Sequence, residues 1–117
     1  KNQNYTFVTS WPKKLKFHSW SNSLKKEGYN ISHIHPSGWV SGVLYLKVPK
    51  DIKNDEAGIE FSLYGDDFVK NKNPTLSKIL KPVVGDLIMF PSSLYHKTIP
   101  FKSNEERMCV AFDLMPS

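Results

Sequence analysis

His33-Ile34-His35-Pro36-Ser37-Gly38-Trp39-Val40-Ser41-Gly42-Val43-Leu44-Tyr45-Leu46-Lys47-Val48-Pro49 is the stretch on which the reading of this chain turns. From Trp39 to Val48 it is a β-branched and aromatic run, stopped by Pro49, which cannot donate to a ladder. Just upstream, two histidines stand two apart. In an extended segment that spacing turns both imidazoles to the same face, because side chains alternate across the pleat.

Outward from this stretch the pattern stays β. Residues 5–8 read as a short strand stopped by Pro12, and 29–35 as a strand ended by Pro36. Segment 58–64 alternates, with Ile59, Phe61 and Leu63 on one face. Further short strands are predicted over 79–83, 87–90, 94–101 and 107–115, with turns at 84–86 and 102–106. The polar segments 51–57 and 65–75 read as loops, and 50–57 and 65–75 as candidate lids. One exception is expected: Phe17, Trp20 and Leu24 sit at i, i+3 and i+7, which predicts a short helix or turn over 17–27 closed by Gly28. Seven or eight short strands between turn signals predict an all-β sandwich or open barrel with at most one or two short helices.

The chain has 117 residues and predicts one domain over 1–117; it opens on lysine, which is compatible with a further segment upstream. No apolar run approaches the ~20 residues of a membrane span, so no membrane partner is expected. A lone Cys109 forms no internal disulfide and favours a reducing, cytoplasmic setting. The net charge of +5 is carried by lysines spread along the chain, with no arginine cluster and no basic helix face. That distribution disfavours nucleic acid as the partner. A homodimer is left open.

Arg107 is the only arginine among 16 basic residues. Where charge merely needs solvation, this chain uses lysine. A planar guanidinium grips a carboxylate through two parallel hydrogen bonds, which lysine cannot do. Period two places Arg107 with Cys109, Ala111 and Asp113 on one face of the last strand, opposite the apolar Met108, Val110, Phe112 and Leu114. A third histidine, His96, precedes the arginine. Three imidazoles can close one face of a metal ion and leave its other positions open. Asp113 is the best spare carboxylate. His18, without partners, reads as an ordinary surface or packing histidine, and Ser41 and Gly42 as positions of close strand approach.

The stretch 33–49, together with Gly85-Asp86-Leu87-Ile88-Met89-Phe90-Pro91-Ser92-Ser93-Leu94-Tyr95-His96 and Arg107-Met108-Cys109-Val110-Ala111-Phe112-Asp113, resembles the 2-oxoglutarate/Fe(II) oxygenases related to the prolyl-hydroxylase superfamily. The resemblance runs from about Trp20 to Asp113. It implies a double-stranded β-helix, or jelly roll, with a cupin-like barrel. It also implies Fe(II) as metal, 2-oxoglutarate and O2 as co-substrates, and hydroxylation of a further substrate with release of succinate and CO2. By the same resemblance His33 and His96 match metal ligands, while Arg107 and Tyr45 match the residues that hold the far carboxylate of 2-oxoglutarate. The chain departs from the common His-x-Asp pattern, since His35 stands where a carboxylate is expected. Either His35 completes a three-histidine metal site, the favoured expectation, or it stands behind the ligands. Two alternatives remain at this level: a cupin-type three-histidine dioxygenase that does not use 2-oxoglutarate, and a non-enzymatic jelly-roll binding module.

Overall fold

A computed structural model describes residues 5–66 and 77–117. Two antiparallel sheets form the body. The larger has four strands in the order β1 (Leu15–Leu24), β7 (Arg107–Pro116), β2 (Val40–Lys47) and β5 (Leu87–Pro91). The smaller has three, in the order β4 (Ser77–Leu80), β3 (Ile59–Ser62) and β6 (Tyr95–Thr98). First and last strands are neighbours, and β2 lies between β7 and β5, so the chain crosses between sheets as a jelly roll requires. The inner faces meet in a core of Val43, Tyr45, Ile59, Phe61, Phe90 and Cys109. Among the described residues, no helix is long and apolar enough to cross a membrane.

The all-β expectation holds, but three local expectations do not. The predicted helix over 17–27 is instead β1, paired with β7 at ten consecutive positions from Leu15↔Pro116 to Leu24↔Arg107. Its apolar spacing coincides with a helical stripe, but Ser19, Ser21 and Ser23 occupy alternate exposed positions, and Phe17 is exposed as well. Serines contribute little to a helix, and a ten-position ladder decides the outcome. The predicted strand over 5–8 is one helical turn, α1 (Thr6–Thr9), whose Phe7 ring stacks on Trp39 at 5.5 Å. The predicted strand over 29–35 is irregular, with a bend at Ser32. It lies beside β6 and makes a single β-bridge, His33↔His96.

That irregular segment is held at its polar backbone groups. The Thr98 N–H donates to Asn30 O at 3.1 Å, and the His35 N–H donates to Ser92 O at 2.9 Å. A turn then follows, with the Gly38 N–H donating to His35 O at 3.0 Å and Pro36 in the second position, where its fixed φ suits the bend. The turn expected at 84–86 is present; Gly85 has φ of 93°, a conformation that favours glycine. Segment 51–57 is tied to the body through Ala57 N to Ile99 O and Lys81 Nζ to Asn54 O. Of the predicted loop 65–75, the part from 67 onward lies outside the described residues.

Candidate functional site

The fold brings His33, His35 and His96 to one point. One ring nitrogen from each lies within 4.8 Å of those of the other two. Ring centroids are 4.3 Å apart for His33–His96, 5.1 Å for His33–His35 and 5.0 Å for His35–His96. His96 is delivered by β6 and is buried; His33 and His35, from the irregular segment beside it, are partly buried. Phe90 packs on His96 at 4.7 Å and Trp20 on His35 at 5.6 Å, forming apolar walls.

Each of the three Nδ1 atoms faces an oxygen. His33 Nδ1 is 2.6 Å from Ile31 O and His96 Nδ1 is 3.0 Å from Leu94 O, a carbonyl two residues upstream in both cases. His35 Nδ1 lies 2.7 Å from Asp113 Oδ1 and 2.9 Å from Oδ2. A carbonyl can only accept, so in His33 and His96 Nδ1 is the donor and Nε2 of the neutral ring keeps its lone pair; an ionised Asp113 carboxylate asks the same of His35. Orientation of this kind is what histidines bound to a metal use, fixing tautomer and ring direction together. Burial also pushes the His96 imidazole down to about 4, and the neighbouring His33 and His35 add to the shift against the opposing hydrogen bond to Leu94 O. A ring held neutral is a ring able to bind a cation.

Arg107 lines the same cavity and is buried to 2% exposure. Its Nε donates to Ala57 O at 3.1 Å, its Nη2 to Tyr45 Oη at 3.3 Å, and its Nη1 reaches Cys109 Sγ at 3.9 Å. The guanidinium also sits 5.0 Å from the centre of the Tyr45 ring. An N–H on each terminal nitrogen is left uncommitted, a two-pronged donor. Among the described residues no carboxylate pairs with it: the ion pairs are His35–Asp113, Lys47–Glu106, Lys97–Glu60 and Lys97–Asp66. A buried charge without a counter-ion is costly. Tyr45 is fully buried, and burial raises its phenol to about 12 against the opposing pull of Arg107, so it stays a donor.

The five residues singled out from the sequence therefore line one cavity. Trp20, Asn22, Asn30 and Thr98 also line it; only the alternation of β1 could have pointed to the first two. Ser41, read as a packing residue, is a buried donor to Asp113 at 2.6 Å, and Asp113 itself stands behind His35. His18 remains outside the cluster.

Residues 18–113 match the family described as "Putative 2OG-Fe(II) oxygenase", and the chain belongs to that family. Among solved structures it is similar to a prolyl-4-hydroxylase of Pseudomonas putida, with 20% identity and a TM-score of 0.64 over 88% of this chain and 54% of that one. It is also similar to HygX of Streptomyces hygroscopicus with nickel and 2-oxoglutarate bound, with 11% identity and a TM-score of 0.64 over 88% of this chain and 58% of that one. A third is an oxidoreductase of the 2OG-Fe(II) oxygenase family from Burkholderia pseudomallei, with 13% identity and a TM-score of 0.62 over 86% and 44%. At these identities the likeness is one of fold, and the chain spans about half the length of these proteins. No curated protein matches it.

Proposed function

We propose that this chain is an Fe(II)- and 2-oxoglutarate-dependent oxygenase that hydroxylates a further substrate, with O2 as oxidant and succinate and CO2 released. The observation that carries the proposal is that a single cavity is lined by three clustered imidazoles, each with Nδ1 facing an oxygen, and by a buried guanidinium lacking a carboxylate partner among the described residues. The donor set fits a divalent metal, and the cationic fork fits the distal acid group of a dicarboxylate.

In this reading His33, His35 and His96 hold the iron on one face through Nε2. Bound there, Fe(II) would supply activation of O2 coupled to oxidative decarboxylation of the 2-oxo acid. Arg107 grips the far carboxylate, with its planar orientation fixed by Ala57 O and by the Tyr45 ring. Tyr45 retains its proton, and its O–H donates a hydrogen bond to the same carboxylate, since its own oxygen already accepts from Arg107. The walls of Phe90 and Trp20 limit water beside the imidazoles. A three-histidine dioxygenase that ignored 2-oxoglutarate would leave Arg107 without a task, and a closed binding module would leave three oriented imidazoles without one. Cys109 is buried and burial raises its thiol, which supports a structural cysteine; a lone cysteine without a disulfide framework is in keeping with a reducing, cytoplasmic setting.

The test is iron-dependent turnover of 2-oxoglutarate. Succinate should appear with Fe(II), O2 and 2-oxoglutarate, and should disappear in His96→Ala. Equal succinate from wild type and His96→Ala would refute the assignment.

A further inference from the structure

A dication held by three neutral imidazoles keeps its full charge, yet a carboxylate is buried just behind one of them. Asp113 is 8% exposed, and among the described residues neither lysine nor arginine pairs with it. Its partners are His35 Nδ1, at 2.7 and 2.9 Å from its two oxygens, and Ser41 Oγ, which donates at 2.6 Å. Since the Ser41 proton goes to Asp113, Ser92 Oγ supplies the donor in the 2.8 Å Ser41–Ser92 contact. The relay therefore points one way, from Ser92 through Ser41 to the carboxylate. Gly38 closes over this relay, for a Cβ there would lie 2.4 Å from Ser92 Oγ and 3.5 Å from Asp113 Cγ.

We propose that Asp113 is a positioning residue for the metal: through His35 it fixes the imidazole with Nδ1 protonated and lends the site the negative charge that its direct donors lack. The inference rests on the three-histidine reading above and extends it to the residue behind the donors. A carboxylate hydrogen-bonded to an imidazole N–H makes the opposite nitrogen more basic and holds the ring in one direction. It also balances the cavity. Asp113 and Arg107 share the inward face of β7, one buried anion and one buried cation, neither with an ionic partner of its own strength. A divalent metal and a dianionic co-substrate added between them leave the whole site neutral. Neutrality matters where water is scarce.

Asparagine at 113 separates charge and direction from shape. If its Oδ1 keeps accepting from Ser41, its amide N–H turns toward His35 Nδ1 and demands the other tautomer, with Nε2 protonated and unable to bind a cation. Two readouts test this without turnover: Co(II) affinity followed by visible absorption, and the tautomer of the His35 ring by 15N NMR of the metal-free protein. Asp113→Asn should bind Co(II) roughly 10–100-fold more weakly, and wild-type His35 should carry its proton on Nδ1. Asp113→Asn binding Co(II) within about twofold of wild type, with the same spectrum, would overturn the proposal. So would a wild-type His35 protonated on Nε2, a result that needs no variant to fold. If wild type takes up no Co(II) at all, the three-histidine reading falls and this inference with it. If wild type binds and His96→Ala does not, an unchanged Asp113→Asn sinks this inference alone.

Discussion

His33 and His96 are joined twice through their backbones: the His33 N–H donates to His96 O at 3.1 Å, and the His96 N–H donates to His33 O at 3.0 Å. Together with the Thr98 N–H to Asn30 O hydrogen bond, this bridge holds the irregular segment 29–35 against β6, and it does so without either side chain. Both imidazoles are left to turn the same way, and each secures its Nδ1 on a carbonyl two residues upstream. Position and ring direction are thus set by separate groups.

Substitution at these histidines should accordingly separate binding from folding. His33→Ala keeps the bridge, so its melting temperature without metal should stay within a few degrees of wild type. Its affinity for Fe(II) or Co(II) should fall at least as far as the 10–100-fold seen when a supporting group is lost. Calorimetric titration beside a thermal melt checks both. A variant that melts early and binds normally would show that the ring serves packing instead.

Arg107 provides an independent test. In wild type, 2-oxoglutarate added with metal should raise the melting temperature, because a ligand that binds only the folded state stabilises it. Arg107→Lys loses the planar fork and should need about tenfold or more 2-oxoglutarate for the same rise, a loss of about 1.4 kcal/mol. Arg107→Met removes a buried charge and its anion site together, so the rise should vanish. Its metal-free stability should fall less than loss of a well-paired arginine would cause. A thermal-shift series over 2-oxoglutarate concentration separates the three proteins.

The metal-free protein should lose stability as pH falls from 6.5 toward 4. His96 is held neutral in the folded state, with its pKa lowered from 6.5 to about 4 mainly by burial. Below 6.5 the unfolded chain gains a proton that the folded chain refuses, so unfolding is favoured progressively until the folded ring also titrates. This linkage is worth on the order of 3 kcal/mol across the window. Denaturant melts at stepped pH should show the decline in wild type and a shallower one in His96→Phe.

Gly38→Ala should disturb the relay behind His35 without touching any imidazole. The added Cβ would fall 2.4 Å from Ser92 Oγ and 2.9 Å from Ser92 Cβ, so the turn or Ser92 must move. Overpacking of this kind costs about 1–3 kcal/mol. Denaturant unfolding of the variant gives the value directly, and no change would show that the turn yields freely.

Much of the site could be read in the sequence because its parts carry strong local signatures. A histidine pair at period two, a later histidine and the lone arginine announced themselves by type and spacing, and alternation correctly put Arg107 on the inward face of β7. What escaped was decided by partners distant along the chain. Ser41 and Asp113 are 72 positions apart, and only the β2–β7 pairing brings them together. Strand β1 was hidden by an accidental helical spacing, and its identity comes from β7, at the other end of the chain. The segment at α1 has strand-forming residues but pairs with no strand among the described residues; it forms a helical turn and places Phe7 on Trp39.

The most direct measurement is anaerobic visible spectroscopy of the protein mixed with Fe(II) and 2-oxoglutarate. Chelation of the iron by the 2-oxo acid group should give a charge-transfer band in wild type that is lost in His96→Ala and requires far more 2-oxoglutarate in Arg107→Lys. Wild-type protein that binds iron yet shows no such band at saturating 2-oxoglutarate would contradict the account.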